Sequence, residues 1–301
     1  MVQRLRFRLK QPYDVDWVLR FLARRAVPGL ESVVGDRWER AVPGGIVQVR
    51  IKSGVASVSA PSTLERADVA RRVRAVLDLD SRPAAVDAAL ATEPTMARLI
   101  AARPGLRVPG AWDVYELAVR AILGQQVSVE RATRLTIALV ERFGSGDGAT
   151  KAFPEPALLA RVNPSELGLP GTRGRAIRLL AAAFERGELD RTTNDVDRLR
   201  ATLLSIPGIG PWTTEYIAMR GGRDPDAFPA SDWVVLKELS RTAPRAATAA
   251  RASARAEAWR PYRAYAVMYL WAAAARRKAD DERRERAGTR TRARSSQTGR
   301  T

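Results

Sequence analysis

Alternation opens the chain. Leu5, Phe7 and Leu9 are separated by Arg4, Arg6, Arg8 and Lys10, the period of a strand with one buried face. Asp14 or Asp16 stands where a helix N-cap belongs, ahead of Trp17, Val18, Phe21 and Leu22, and Pro28-Gly29 closes that helix. Ile46, Val47, Val49 and Ile51 run into Lys52-Ser53-Gly54 and then Val55 and Val58, which predicts a hairpin of two short strands. A helix over about 62–77 completes an α+β unit. Beyond Pro83 the period changes to that of helices, joined by short turns at Pro104-Gly105, Pro109-Gly110, Gly144-Ser145-Gly146, Pro170-Gly171 and Pro207-Gly208. The expected domains are therefore 1–80 (antiparallel sheet plus helices), 81–275 (helical) and a polar, basic tail, 276–301, expected to be disordered.

Charge and composition narrow the chemistry. The 301 residues hold 51 Lys and Arg against 33 Asp and Glu, a net +18, with neither His nor Cys. Residues 276–301 contribute +6 of this, so the folded body is basic too. A polyanionic partner explains such a surplus; a merely solubilising surface explains it equally well on charge alone. Without His or Cys there are no disulfides, no Ser-His-Asp triad, no His- or Cys-built zinc site and no cysteine-ligated iron–sulfur cluster. Catalysis is left to carboxylates, amines, hydroxyls and backbone dipoles. The longest apolar stretch, Ala264–Ala275, is well short of the ~20 residues that span a bilayer. The opening MVQRLRFRLK lacks the continuous apolar region of a signal peptide, so a cytoplasmic protein without a membrane partner is expected.

The most informative stretch is Leu203-Leu204-Ser205-Ile206-Pro207-Gly208-Ile209-Gly210-Pro211-Trp212-Thr213. One helix ends before Pro207, and another opens with Pro211 at its first position. Gly208 and Gly210 allow positive φ and close approach to bare N–H groups, and the new helix adds its unpaired amides and positive dipole end. Such a unit either clamps a backbone phosphate or is an ordinary corner between helices.

Its surroundings favour the clamp. The strings IPGIGPWTTEYIAMR and DAFPASDWVVLKEL resemble the helix-hairpin-helix DNA glycosylase superfamily. RAILGQQVSVERATRLT, VPGAWDVYELAVRAILG and QPYDVDWVLRFLARRAVPGLE are similar to the DNA-3-methyladenine glycosylase II, or AlkA-type, family. The likeness runs from about Phe7 to Arg276. It implies two helical subdomains flanking a cleft, 112–225 with the hairpin and 81–111 plus 226–275, behind the N-terminal α+β domain.

The resemblance also assigns roles. Asp232, by itself the N-cap of the helix through Val234, Val235 and Leu239, falls where the family has its catalytic carboxylate, which stabilises an oxocarbenium-like sugar or activates water. Glu215 is read as a surface residue. Superfamily members that also cut the strand carry a Lys directly after the hairpin; Trp212 at that position implies base removal by water alone. Trp212, Tyr216 and Trp271, core residues on spacing alone, correspond to the aromatic base pocket, whose ring faces suit a cationic alkylated purine. Gln126 maps to the wedge that fills the gap left by a flipped nucleotide. Gly208, Gly210 and Thr213 would meet DNA, and the carbonyls of Leu204, Ile206 and Gly208 would hold a monovalent cation. The implied protein is a monomeric, monofunctional glycosylase of the bacterial nucleoid that excises 3-methyladenine-like bases from double-stranded DNA, with no cofactor needed for the chemistry. Its rivals are a non-catalytic DNA-binding module and a bifunctional glycosylase/lyase.

Overall fold

The computed structural model describes residues 1–146, 151–192, 195–242 and 248–298, without the side chains of 242 and 286–298. Strand β1 (Val2–Arg8) is followed by helix α1 (Val15–Ala23), which Asp14 caps by accepting the Trp17 N–H at 2.8 Å. Strands β2 (Glu31–Val34), β3 (Arg37–Val42), β4 (Gly45–Lys52) and β5 (Val55–Pro61) complete an antiparallel sheet of order β1-β5-β4-β3-β2. One face buries Leu5, Val47, Val49, Ile51, Ala56 and Val58 against α1 and helix α2 (Arg66–Val76). That helix starts later than its sequence pattern suggests.

The structure has five strands here where the hydrophobic pattern yields three. Strand β3 escaped because its inward residues are Trp38 and Arg40, and a charged residue breaks the apolar alternation. Arg40 is 5% exposed and grips Glu116 with both terminal nitrogens, at 3.0 and 2.5 Å. Arg120 adds bonds to Glu116 at 2.9 Å and to Glu31 of β2 at 2.7 Å. A buried charge survives when it is paired, and this network ties sheet to helices although the buried Arg40 Nε is left without a hydrogen-bond partner.

Eleven further helices follow among the described residues, interrupted by short 3-10 turns, the first ten being α3 (Pro83–Leu90), α4 (Pro94–Ala102), α5 (Val114–Leu123), α6 (Val129–Phe143), α7 (Pro156–Leu159), α8 (Gly171–Glu185), α9 (Val196–Ser205), α10 (Pro211–Arg220), α11 (Trp233–Thr242) and α12 (Ala249–Ala256). The last, α13, spans Arg263–Thr298. Capping residues mark the starts, Asp113 on α5, Ser128 on α6 and Asp195 on α9. One apolar core joins the sheet, α1–α4 and α11–α13; a second fills the space among α5–α10. The change of pattern near Asp80 therefore marks no break in packing.

Residues 276–298 form helix where a disordered tail is expected, and 299–301 of that tail lie outside the described residues. The backbone of α13 continues as helix to Thr298. Arg276-Arg277-Lys278-Ala279-Asp280-Asp281-Glu282-Arg283-Arg284-Glu285 consists of good helix formers with opposite charges at helical spacing, Lys278 and Glu282 lying 4.0 Å apart. Arg277 also pairs with Glu238 of α11. Polar composition was mistaken for lack of structure.

The buried network sets a stability prediction. Burial alone would raise the Glu116 pKa, but Arg40 and Arg120 outweigh it and hold the carboxyl below its ordinary 4.5. Its contribution is complete above that ordinary value and is lost as pH falls through the lower folded-state value. Glu116→Gln should cost about 3–5 kcal/mol, because Arg40 loses its buried anion and Arg120 is left with Glu31 alone. Urea unfolding at neutral pH checks this, and a loss below about 1 kcal/mol would show that the network does not hold the sheet in place.

Candidate active site

Asp232 is the N-cap of α11: its Oδ1 accepts the Val235 N–H at 3.0 Å, and its own N–H donates to Pro229 O at 2.8 Å. The cap fixes the side chain, and two indoles then meet it. Trp271 donates its Nε1–H to Oδ1 at 3.0 Å, and Trp212 donates to Oδ2 at 3.0 Å. Indole N–H groups only donate, so three donors converging on two oxygens suit a carboxylate anion. Asp232 is only 7% exposed.

The rings extend from this carboxylate. Trp212, in the first turn of α10, stacks on Tyr216 one turn later, centroids 5.4 Å apart and planes within 13°. Trp271 of α13 lies 6.3 Å from Tyr216, tilted by 39°. The three pocket residues nominated from sequence are thus brought together with Asp232. A fourth ring was missed: Phe21 of α1 stacks on Trp271 at 6.4 Å and 14°. Its apolar spacing with Trp17 reads as ordinary helix core, and nothing in the pattern marks it as different.

Two guanidiniums stand behind this cluster. Arg25 lies 3.7 Å and Arg220 4.8 Å from the Phe21 ring centre. Arg220 is fixed by Pro109 O at 2.7 Å and Gly110 O at 2.8 Å, and donates to the Tyr216 hydroxyl at 2.7 Å. Burial would raise the Tyr216 pKa, but the charges and hydrogen bonds of Arg220 and Arg25 outweigh it and bring it to about 8. Burial in turn lowers Arg25 to about 10.

The hairpin joins α9 to α10. Gly208 has φ +95°, and a Cβ there would lie 3.2 Å from Ala176 Cβ and 3.3 Å from Thr172 O, so both backbone and packing on α8 demand glycine. Gly210 differs: its φ of −96° suits any residue, and a Cβ would meet nothing within 4 Å. Pro211 has no N–H, so Trp212 and Thr213 supply the first amides of α10. The Thr213 side chain, expected at DNA, is buried, its hydroxyl accepting from Gln125 Nε2 at 3.0 Å. Only its backbone can meet an outside partner. Gln126, between α5 and α6, is exposed with φ +57°, a left-handed conformation uncommon for a residue with a side chain.

Glu215 is not the surface residue expected. It pairs with Arg200 at 2.7 Å and accepts the Phe228 N–H at 2.9 Å, bracing the segment that leads to Asp232. A cavity of about 650 Å³, lined by Arg74, Asp78, Arg200, Arg223, Tyr262 and Tyr265, lies elsewhere. Among the described residues no group of three or more His, Cys, Asp or Glu could hold a metal. The carbonyls of Ile206 and Gly208 already accept one bond each, from Ile209 N–H at 3.0 Å and Gln125 Nε2 at 2.9 Å. A carbonyl has a second lone pair, so this oxygen-only set still fits a hard cation. Among the described residues no helix is long and apolar enough to cross a membrane.

Comparison with known proteins agrees with the geometry. Residues 4–113 match the AlkA N-terminal domain, and residues 119–264 match the HhH-GPD superfamily base excision DNA repair protein. The chain is 35% identical over 282 residues to DNA-3-methyladenine glycosylase 2 of Escherichia coli (strain K12), covering 86% of this chain and 94% of that protein. It is 38% identical over 282 residues to a probable bifunctional transcriptional activator/DNA repair enzyme AlkA of Mycobacterium tuberculosis, covering 89% of this chain but only 56% of that relative, so it spans about half of that protein's length. Among solved structures, the 3-methyladenine DNA-glycosylase of Archaeoglobus fulgidus shares the fold at a TM-score of 0.72 and 22% identity, with 88% and 96% of the two chains covered. An 8-oxoguanine glycosylase/lyase of Clostridium acetobutylicum bound to DNA shares it at 0.73 and 14% identity, with 92% and 98% covered.

The two guanidiniums on Tyr216 make one phenol unusual. Ultraviolet titration should show a single tyrosinate forming near pH 8, ahead of the ordinary range near 10. Tyr216→Phe should abolish that early step. If the step persists in the variant, the assignment to Tyr216 fails.

Proposed function

Because the chain belongs to the AlkA-type DNA-3-methyladenine glycosylase family, we propose that it excises alkylated bases, 3-methyladenine-like lesions foremost, from double-stranded DNA as a step of base excision repair. The observation that carries this reading is the convergence of Trp212 and Trp271 on the two oxygens of Asp232. One anion is thereby set among electron-rich ring faces, and cleavage of an alkylated nucleotide calls for both features.

The amides opening α10 and the bare backbone at Gly210 grip a phosphate without reading sequence. Gln126, held outward between α5 and α6, enters the stack as the nucleotide leaves it. Flipping costs a few kcal/mol and least at damaged pairs, so part of the selectivity lies in the DNA. The extruded base lies against the rings of Trp212, Tyr216, Trp271 and Phe21, whose faces attract a cationic base. That base is already a good leaving group. The bond from C1′ to the base nitrogen breaks with its electron pair going to the base, and Asp232 stabilises the resulting sugar cation. A water oxygen adds at C1′ and gives up a proton, for which Asp232 is the nearest base. The product is an abasic strand with its phosphodiesters intact.

Strand scission through a Schiff base is disfavoured because Trp212 occupies the position after the hairpin where an amine would be required. A carbonyl-bound monovalent cation at Leu204, Ile206 and Gly208 would supply positive charge for a DNA phosphate and take no part in the glycosidic step. The chemistry calls for no cofactor, and a chain lacking Cys and His offers no usual ligand to an iron–sulfur cluster or zinc. On this reading the protein works as a monomer in the bacterial nucleoid.

Asp232→Asn should lower single-turnover release of free 3-methyladenine from methylated duplex by at least about a hundredfold, the scale for losing one aimed electrostatic group. Affinity for an abasic-site duplex should change little. Unchanged release would leave a DNA-binding module whose pocket is inert. Borohydride trapping of a protein–DNA adduct by the wild type would instead establish a lyase.

A further inference from the structure

The outer face of the N-terminal sheet has a composition that the cleft does not explain. Registers place Arg4, Arg6 and Arg8 of β1 beside Ser59, Ser57 and Val55 of β5, and those beside Gln48, Arg50 and Lys52 of β4. Arg4, Arg6, Arg8, Arg50, Lys52 and Ser57 are exposed, while the alternate residues of each strand turn into the core. Two ridges of long cationic side chains therefore flank a floor of small residues with two hydroxyls. Arg37 of β3 extends the charge. Carboxylates answer only part of it: Glu39 lies 3.3 Å from Arg37, and Asp36 3.5 Å from Arg50. Among the described residues no ion pair engages Arg4, Arg6, Arg8 or Lys52.

We propose that this outer sheet face is a second docking surface for duplex DNA, one phosphate strand lying along β5 between the β1 and β4 ridges. Residues two apart on a strand are roughly 6.8 Å apart, so Arg4, Arg6 and Arg8 form a row of cations spaced to meet successive phosphates along one backbone. Neighbouring strands are roughly 4.8 Å apart, which sets the ridges roughly 10 Å from each other, wide enough for a phosphate backbone above Ser57 and Ser59. Serine hydroxyls donate to phosphate oxygens, and a floor of small side chains keeps the track open.

The surface looks away from the cleft. The inner face of the sheet packs on α1, and α1 carries Phe21 to Trp271 beside Asp232. A duplex in the cleft therefore leaves the outer face free for another segment. Two contacts on opposite sides let the protein hold undamaged DNA while it samples a neighbouring stretch. The inference rests on the proposed reading only in its choice of DNA as the polyanion.

The test uses the full chain, immobilised and saturated with an unlabelled abasic-site duplex, to which a labelled undamaged duplex is added at increasing salt. The wild type should capture the second duplex. A triple variant, Arg4→Gln, Arg6→Gln and Arg8→Gln, should weaken capture at least about tenfold and reduce the slope of log K against log salt by about 3. Its melting temperature should not fall below that of the wild type, and its single-turnover base release should match. Arg50→Gln with Lys52→Gln, on a different strand, should weaken capture independently and serves if the triple variant misfolds. Equal capture by the variants, no capture by the wild type, or binding of phosphatidylserine vesicles without duplex would overturn the assignment. Capture without base release would defeat the reading of the cleft and leave the sheet assignment standing; base release without capture does the reverse.

Discussion

Three N–H groups from three helices meet on the carboxylate of Asp232, and the rest of the site is arranged around that meeting. Val235 belongs to the helix that the aspartate starts, Trp212 to the first turn of α10, and Trp271 to the middle of the buried part of α13. Each bond alone has an ordinary length. Together they fix α10, α11 and α13 with respect to one another, since moving any of the three leaves a buried donor or acceptor unpaired. The hairpin ends where Trp212 begins, so any phosphate held at Gly210 is at a set distance from Asp232. Grip and chemistry are two ends of one short run of residues.

The charges around the rings at first oppose a cationic base, since Arg25 and Arg220 both lie on the Phe21 ring. Their other contacts change that balance. Arg220 is held by two backbone carbonyls and Tyr216, and the pull of both guanidiniums brings the Tyr216 pKa to about 8. Near neutral pH a fraction of the phenol is already ionised, and a cation stacked on it would increase that fraction. Two guanidiniums, a titrating phenol and Asp232 surround the rings, so the charge of the cluster adjusts by loss of the Tyr216 proton.

The cap and the hairpin were legible from residue order because they are local, whereas the meeting of Trp212, Tyr216 and Trp271 with Asp232 was implied only by the family resemblance. Asp232 before an apolar helix is an N-cap wherever it occurs, and Pro207-Gly208-Ile209-Gly210-Pro211 can hardly be anything but a tight turn into a helix. What escaped was set by distant partners. Arg40 hid β3 because its reason for facing inward, Glu116, is on another element. Phe21 and Arg25 are four apart on an amphipathic helix, and only the fold shows that their far side meets Trp271 rather than plain core. Glu215 looked solvated because Arg200 and the Phe228 amide come from other segments. Charge was misread at both ends of the scale: a buried Arg was overlooked, and a charged run that forms a helix was taken for a loose tail.

The N-terminal unit is therefore part of the site rather than an appendage. Its sheet packs on α1, α1 supplies Phe21, Phe21 covers Trp271, and Trp271 holds one oxygen of Asp232. The chain of contacts is stiff, because the Arg40–Glu116–Arg120–Glu31 network fixes the same inner face of the sheet against α5. A helix pinned between a charged lock and an aromatic stack has little freedom to slide. The same packing leaves the opposite face of the sheet with no structural duty. Arginines crowded on that face repel one another and lower stability, so a partner that neutralises them gives their presence a physical reason that the fold alone does not.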